Sequence, residues 1–291
     1  MKKFLYFPIT KIILGIAICL GVLIGVQNFI TKPIIYSLID SKTIGDTIVN
    51  YISVAVLLST YYYLFKFYEK REITELSKRS ILKELIGGFF LGFAILSLVI
   101  LILYLLGYYQ ILSFSGFSYF LAPLSFLVIA ALLEEVLFRI ILYRILENWL
   151  GTILALGIIS FMFEIPHVLN PNVTFLSVVL GLLFGFAHGI MYTYSKKIWL
   201  PFAFHLGWNF AQPFYNSNLS GIDDFSPVFV AKFNGPELLT GSIYGIEDSI
   251  LSILFLLIIC VIFLYLSIRN NKIIQLKSNK NTNYNTDCQI N

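Results

Sequence analysis

Leu132-Leu133-Glu134-Glu135-Val136-Leu137-Phe138-Arg139 sets two carboxylates and a guanidinium inside an apolar run that reaches from Phe117 to Ile141. A run of this length can cross a bilayer as a helix. Each ionisable group near its centre costs roughly 3 kcal/mol on insertion scales. Groups that expensive must be paired, hydrated or put to use. The fold class and the first functional candidates therefore rest on the same eight residues.

The rest of the chain agrees. Of 291 residues, 58% are hydrophobic and 12% charged, with a mean hydropathy of +0.84. Soluble domains carry about 25% charged residues, and ordinary core burial does not explain such a deficit. Apolar runs recur at Ile12–Ile30, Ile48–Phe67, Leu85–Leu106, Phe117–Ile145, Gly151–Ile165, Phe175–Tyr194, Ile198–Phe214 and Ile250–Ile268. The expected fold is all-α: a polytopic membrane protein of about eight transmembrane helices, with the catalytic core in the last four to five.

Basic residues predict the orientation. With Lys2, Lys3 and Lys11 in the cytoplasm, the same side receives Lys66, Lys70, Arg71, Lys78, Arg79, Lys83, Arg144, Lys196, Lys197, Arg269, Lys272, Lys277 and Lys280. The other side receives Lys32, Lys42 and Lys232 with Asp223, Asp224, Glu237, Glu247 and Asp248. Both termini are expected in the cytoplasm of a multi-pass cell-membrane protein. The net charge of +4 reflects this topology and calls for no nucleic-acid partner. The first apolar run lacks a small-x-small cleavage site and reads as an uncleaved helix. Cys19 and Cys260 lie in apolar runs and Cys288 near the end, a pattern that suggests neither a disulfide framework nor a cysteine metal site.

Four regions follow: 1–116, three spans with a basic cytoplasmic loop; 117–215, the core carrying the polar groups; 216–269, an external loop and the last span; and 270–291, an Asn-, Lys- and Thr-rich tail expected to be a disordered cytoplasmic segment. The stretch Gln212–Glu247 reads as an external loop. No internal repeat is visible.

Glu135 and Arg139 are i and i+4 on a helix and can pair. Glu134 points about 100° away and needs another donor, a proton or water. A carboxylate in that position suits general acid–base work; a polar packing network without chemistry is the alternative. The three histidines of the chain all follow it. His167 closes Phe163-Glu164-Ile165-Pro166-His167, His188 sits mid-span, and His205 opens His205-Leu206-Gly207-Trp208-Asn209. Counting about 1.5 Å per residue from the cytoplasmic ends puts Glu134 roughly 17 Å deep, Asn209 16 Å, His205 10 Å and His167 24 Å. Two chemistries fit these groups. Glu134, His167 and His205 could hold zinc with a coordination position open to water, although the His-Glu-x-x-His signature is missing. Alternatively Glu134 and one histidine activate water without metal, and Asn209 helps hold an oxyanion.

Taken together, the three segments resemble the CAAX-protease and bacteriocin-processing (CPBP, or Abi) membrane endopeptidases, which include the Rce1-type prenyl proteases. Glu134, Glu135 and Arg139 match the Glu-Glu-x-x-x-Arg motif, Phe163 and His167 match Phe-x-x-x-His, and His205 and Asn209 match His-x-x-x-Asn/Asp, in the family's order over about Pro123–Phe210. The resemblance implies an intramembrane endopeptidase acting on lipidated or hydrophobic membrane-associated peptides. Glu134 and His167 would activate water, His205 and Asn209 would hold the oxyanion, and Arg139 would pair with supporting Glu135. A glutamic mechanism without cofactor is favoured; zinc is the alternative. Glu164 departs from the family pattern, could pair with His167 at i+3, and has no assigned role; neither does His188. Pro166 must kink or end its helix. The competing functions are a non-catalytic bacteriocin-immunity or peptide-binding scaffold and a proton-coupled transporter.

Overall fold

A computed structural model describes residues 6–276 except 118–120 and 224, and the backbone alone at 121 and 122. Lys2, Lys3, Asp224, Lys277, Lys280, Cys288 and the rest of the tail from 277 lie outside the described residues. Helix α1 runs Pro8–Leu38, opened by Pro8 in its first turn, where a missing N–H is harmless. Helix α2 is Lys42–Tyr68, capped by the Ser41 hydroxyl, and α3 is Ile81–Leu105. Helix α4 comprises Leu121–Glu134, a π-helical stretch Glu135–Tyr143, and Arg144–Leu150. Helices α5 (Thr152–His167), α6 (Phe175–Ser195) and α7 (Trp199–Phe214) complete the core. A short α8, Glu237–Thr240, precedes α9, Ile250–Arg269.

Each of the eight expected spans falls on a helix. Five of these helices, α1, α2, α3, α6 and α9, are long and apolar enough to cross a membrane. Helix α5 is apolar but has 16 residues, and α7 has the same length. The protein is thus mostly helical, with five candidate crossings among the described residues.

Two differences from the sequence reading have clear physical causes. First, the stretch Gln212–Glu247 is structured. Strand β2 (Phe229–Phe233) pairs antiparallel with β1 (Tyr109–Phe114), Tyr109 facing Phe233 and Phe114 facing Phe229. The 3-10 turn Ile246–Asp248 buries Glu247 and Asp248. Second, the segment expected to be disordered from 270 is held at Ile274 against the start of α5. Thr152, the first residue of α5, donates its N–H to Ile274 O at 2.8 Å, and Ile274 N donates to Thr152 Oγ1 at 2.9 Å. The tail satisfies a helix N-terminus that has no partner of its own.

Glycines set the tightest helix contact. Gly88 and Gly92, one turn apart on α3, face α7. A Cβ on Gly92 would overlap Phe204 O, and one on Gly207 would overlap Phe89 O. Small residues at this spacing let membrane helices approach backbone to backbone. Helix α7, which carries His205 and Asn209, is therefore seated on α3.

A charged cluster joins α1, α2 and α4. Arg71 donates to Glu69 at 2.6 Å and to Glu75 at 2.8 Å, and Arg144 donates to Glu69 at 2.9 Å. Tyr61 donates to Glu75 and Lys11 reaches Glu69 at 3.3 Å. Burial pushes the Glu69 and Glu75 carboxyls up. Arg144 and Arg71 outweigh it and hold both below the usual carboxylate range.

Candidate active site

The π-helical stretch begins one residue after Glu134. Such wide turns inside an α-helix recur at functional sites, and this one presents Glu134 and Glu135 on different sides of α4. Glu135 and Arg139 are fully buried, with Arg139 Nε 3.3 Å from Glu135 Oε2. The geometry is that of an ion pair without a hydrogen bond, and the Arg139 guanidinium lies 4.5 Å over the Phe163 ring. The expected pairing of Arg139 with Glu135 is present. Glu135 also has a second partner: its Oε1 accepts from His205 Nδ1 at 3.0 Å. A carboxylate can only accept, so the His205 Nδ1 carries a proton.

Glu134 faces a cavity of about 400 Å³. Its Oε2 lies 4.0 Å from His167 Nε2 and 3.8 Å from His205 Nε2. Both separations are too long for hydrogen bonds, and Oε2 is buried without a hydrogen-bond partner. Asn209, one turn beyond His205 on α7, lines the same cavity. The four residues named as catalytic from sequence are thus brought together. Pro166 takes the second of the two expected outcomes, since α5 ends at His167. His167 Nδ1 donates to Phe163 O at 2.8 Å, which aims Nε2 at Glu134.

Glu164 does not pair with His167, whose ring nitrogens face Phe163 O and Glu134. It is 5% exposed, lines the cavity and meets α6 at Gly181. His188 stands behind the site. Its Nδ1 donates to Phe184 O at 2.8 Å, its Nε2 has no hydrogen-bond partner, and its ring centroid is 5.1 Å from that of His205. One wall residue escaped the sequence reading. Glu247 is buried and accepts from Trp208, Gln212 and Ser220. Burial outweighs these donors and raises its carboxyl above the usual range. Its only sequence signal, an acid in a Gly- and Pro-rich loop, looks like a solvated residue.

The metal alternative can be judged on donor geometry. Among the described residues, Glu135, His188 and His205 bring ligand atoms within 4.8 Å of one another. Glu134, His167 and His205 do not form such a group. The closer trio fits a catalytic metal poorly, because Arg139 already faces Glu135 and neither Glu135 nor His188 lines the cavity. A dication there would sit beside a buried guanidinium and away from substrate.

The site is thus a cavity in a bundle of apolar helices that gathers a carboxylate, two imidazoles and an amide. Residues 116–211 match the family model described as type II CAAX prenyl endopeptidase Rce1-like. The comparison bears out the CPBP/CAAX-protease resemblance of the motifs, and that family is one of membrane proteases. No curated protein and no solved structure matches the chain.

Proposed function

We propose that the protein is an intramembrane endopeptidase of the glutamic type, hydrolysing a peptide bond in a lipidated or hydrophobic membrane-associated peptide. The observation that carries this reading is the approach of two imidazole Nε2 atoms to one Glu134 oxygen, at 4.0 and 3.8 Å. A water about 2.8 Å from both Glu134 Oε2 and His167 Nε2 bridges a 4.0 Å gap without strain. With Nδ1–H held by Phe163 O, the neutral His167 offers only a lone pair at Nε2.

Glu134 takes a proton from that water as its oxygen attacks the scissile carbonyl carbon. The resulting oxyanion accepts from the Asn209 amide and from His205 Nε2. For this donation His205 carries a proton on each ring nitrogen, the one on Nδ1 being held by Glu135 Oε1. Glu134 then returns its proton to the leaving nitrogen, and the C–N bond breaks. The apolar wall admits the peptide from the bilayer while the polar cavity supplies water. Both termini lie in the cytoplasm, with eight crossings, as the Lys and Arg distribution supports.

The test uses full-length protein in proteoliposomes with quenched hydrophobic peptides, prenylated and not. Cleavage by the wild type that is lost in Glu134→Gln and His167→Ala is expected. Cleavage retained in Glu134→Gln defeats the mechanism. Stoichiometric zinc whose removal abolishes activity and whose return restores it defeats the metal-free form. Peptide binding without cleavage in wild type and Glu134→Gln alike would favour a scaffold, and proton-coupled flux a transporter.

A further inference from the structure

Glu164 is the acid that the proposed chemistry leaves unused. It is 95% buried by its 5% exposure, and its Oε2 has no hydrogen-bond partner. The bundle makes room for it: a Cβ on Gly181 would overlap that oxygen. The carboxylate thus occupies a notch in α6 and lines the cavity beside the reacting groups. A buried carboxylate with an open oxygen is costly until a cation or a donor meets it.

The described lining of the cavity offers Glu164 no lysine or arginine. It carries Glu134, Glu164 and Glu247 and the imidazoles of His167 and His205. Glu247 is already met by three donors. Arg139, fully buried on α4, faces Glu135 and does not line the cavity. Much of the remaining wall is bulky and apolar, as at Phe126, Leu133, Phe138 and Phe184.

We infer that Glu164 anchors a basic residue of the substrate, a lysine ammonium or arginine guanidinium set among large apolar side chains. This inference rests on the peptidase reading. Glu164 and His167 are i and i+3 on α5, about 5–6 Å apart at Cβ. An extended peptide advances about 3.4 Å per residue. The basic residue therefore lies within about two residues of the bond that is cut.

The experiment presents a hydrophobic host peptide to the full-length protein in proteoliposomes. Lysine, arginine, norleucine or glutamate is placed in turn at each of its central positions. Basic peptides should exceed their norleucine counterparts in kcat/KM by about tenfold, the effect of one charge-assisted hydrogen bond. Glu164→Gln should collapse that ratio to near one, and Glu164→Asp should retain most of it. Equal cleavage of lysine and norleucine peptides by the wild type, or a preference that persists in Glu164→Gln, overturns the inference.

A binding measurement separates this failure from failure of the peptidase reading. Fluorescent versions of the same peptides are titrated against Glu134→Gln and against Glu134→Gln combined with Glu164→Gln. If the wild type cleaves nothing, the peptidase reading falls. The cation preference is still decided by whether lysine peptides bind about tenfold more tightly than norleucine peptides only when Glu164 is present.

Discussion

Two charged clusters share α4 and have opposite economies. The one at Arg144 is nearly closed, its carboxylates all met by donors and only Arg144 Nη2 left without a hydrogen-bond partner. Glu69 and Glu75 divide between them Lys11, Arg71, Arg144 and Tyr61, each of which hydrogen-bonds one of the two carboxylates. The one at Glu134 is open. Glu134 Oε2 and Glu164 Oε2 have no hydrogen-bond partner, and Arg139 meets Glu135 without a hydrogen bond. Both clusters hold acids and bases within one helix bundle, so charge alone does not mark a functional site. What distinguishes them is whether the partners are already supplied. A closed cluster ties helices together, whereas an open one borders a cavity and waits for water or ligand.

If that contrast is right, mutations should divide into losses of turnover and losses of stability. The largest effect belongs to Glu134→Gln. Peptide turnover should fall by about 10³-fold or more, the scale of a lost acid–base residue. Its melting temperature in detergent should hardly change, because no native hydrogen bond at Oε2 is removed. Glu135→Gln tests the boundary between the two kinds. It strands a fully buried Arg139 and weakens the orientation of His205, so stability should drop by about 3–5 kcal/mol and activity per folded molecule should drop too. Asn209→Ala should cost about 10²-fold in kcat, as expected for one oxyanion donor, with stability near wild type.

The closed cluster should answer in stability. Glu75→Gln is expected to cost about 2–3 kcal/mol, below the range of a fully buried pair because Arg71 is 27% exposed, while turnover per folded molecule stays within a few-fold. Acid gives the matching pH test. Glu69 and Glu75 are held below the usual range in the folded protein. Their contribution is present above the unfolded value near pH 4 and disappears as pH falls through the lower folded value. Thermal melts between pH 5 and pH 3 should show the loss, and Glu75→Gln should flatten it. Smallest of all, Lys196→Ala removes a half-exposed partner of Glu147, which keeps Thr152 and Thr193. A change of at most about 1 kcal/mol is expected.

The helices were legible because apolar runs recur along the chain, five of them on helices long enough to cross a bilayer, and Glu134, His167, His205 and Asn209 because those residue types are expensive where they sit. Depth counting was less informative. It separated His167 from His205 by about 14 Å of rise, yet both approach one oxygen of Glu134. A straight count ignores tilt and the different heights at which α5 and α7 begin. The π-helical stretch left no trace in the residue pattern, since the apolar spacing of Val136–Ile141 suits an α-helix as well. Glu247 and the docked Ile274 were hidden for another reason. Glu247 is buried, and Ile274 is hydrogen-bonded to Thr152, by contacts with segments distant in sequence, and nothing in their immediate neighbours signals those contacts.

The glycine contact between α3 and α7 bears on how far the family segment can be treated as a unit. Residues 116–211 contain the proposed chemistry, but α7 is seated through Gly207 on Phe89 and through Phe204 on Gly92. Those α3 partners lie outside the segment. Excision or transplantation of the matched region would leave α7 without the surface that fixes its height and rotation. An engineer who wishes to graft the matched segment onto another scaffold must carry α3 as well, or rebuild a glycine-lined groove to replace it.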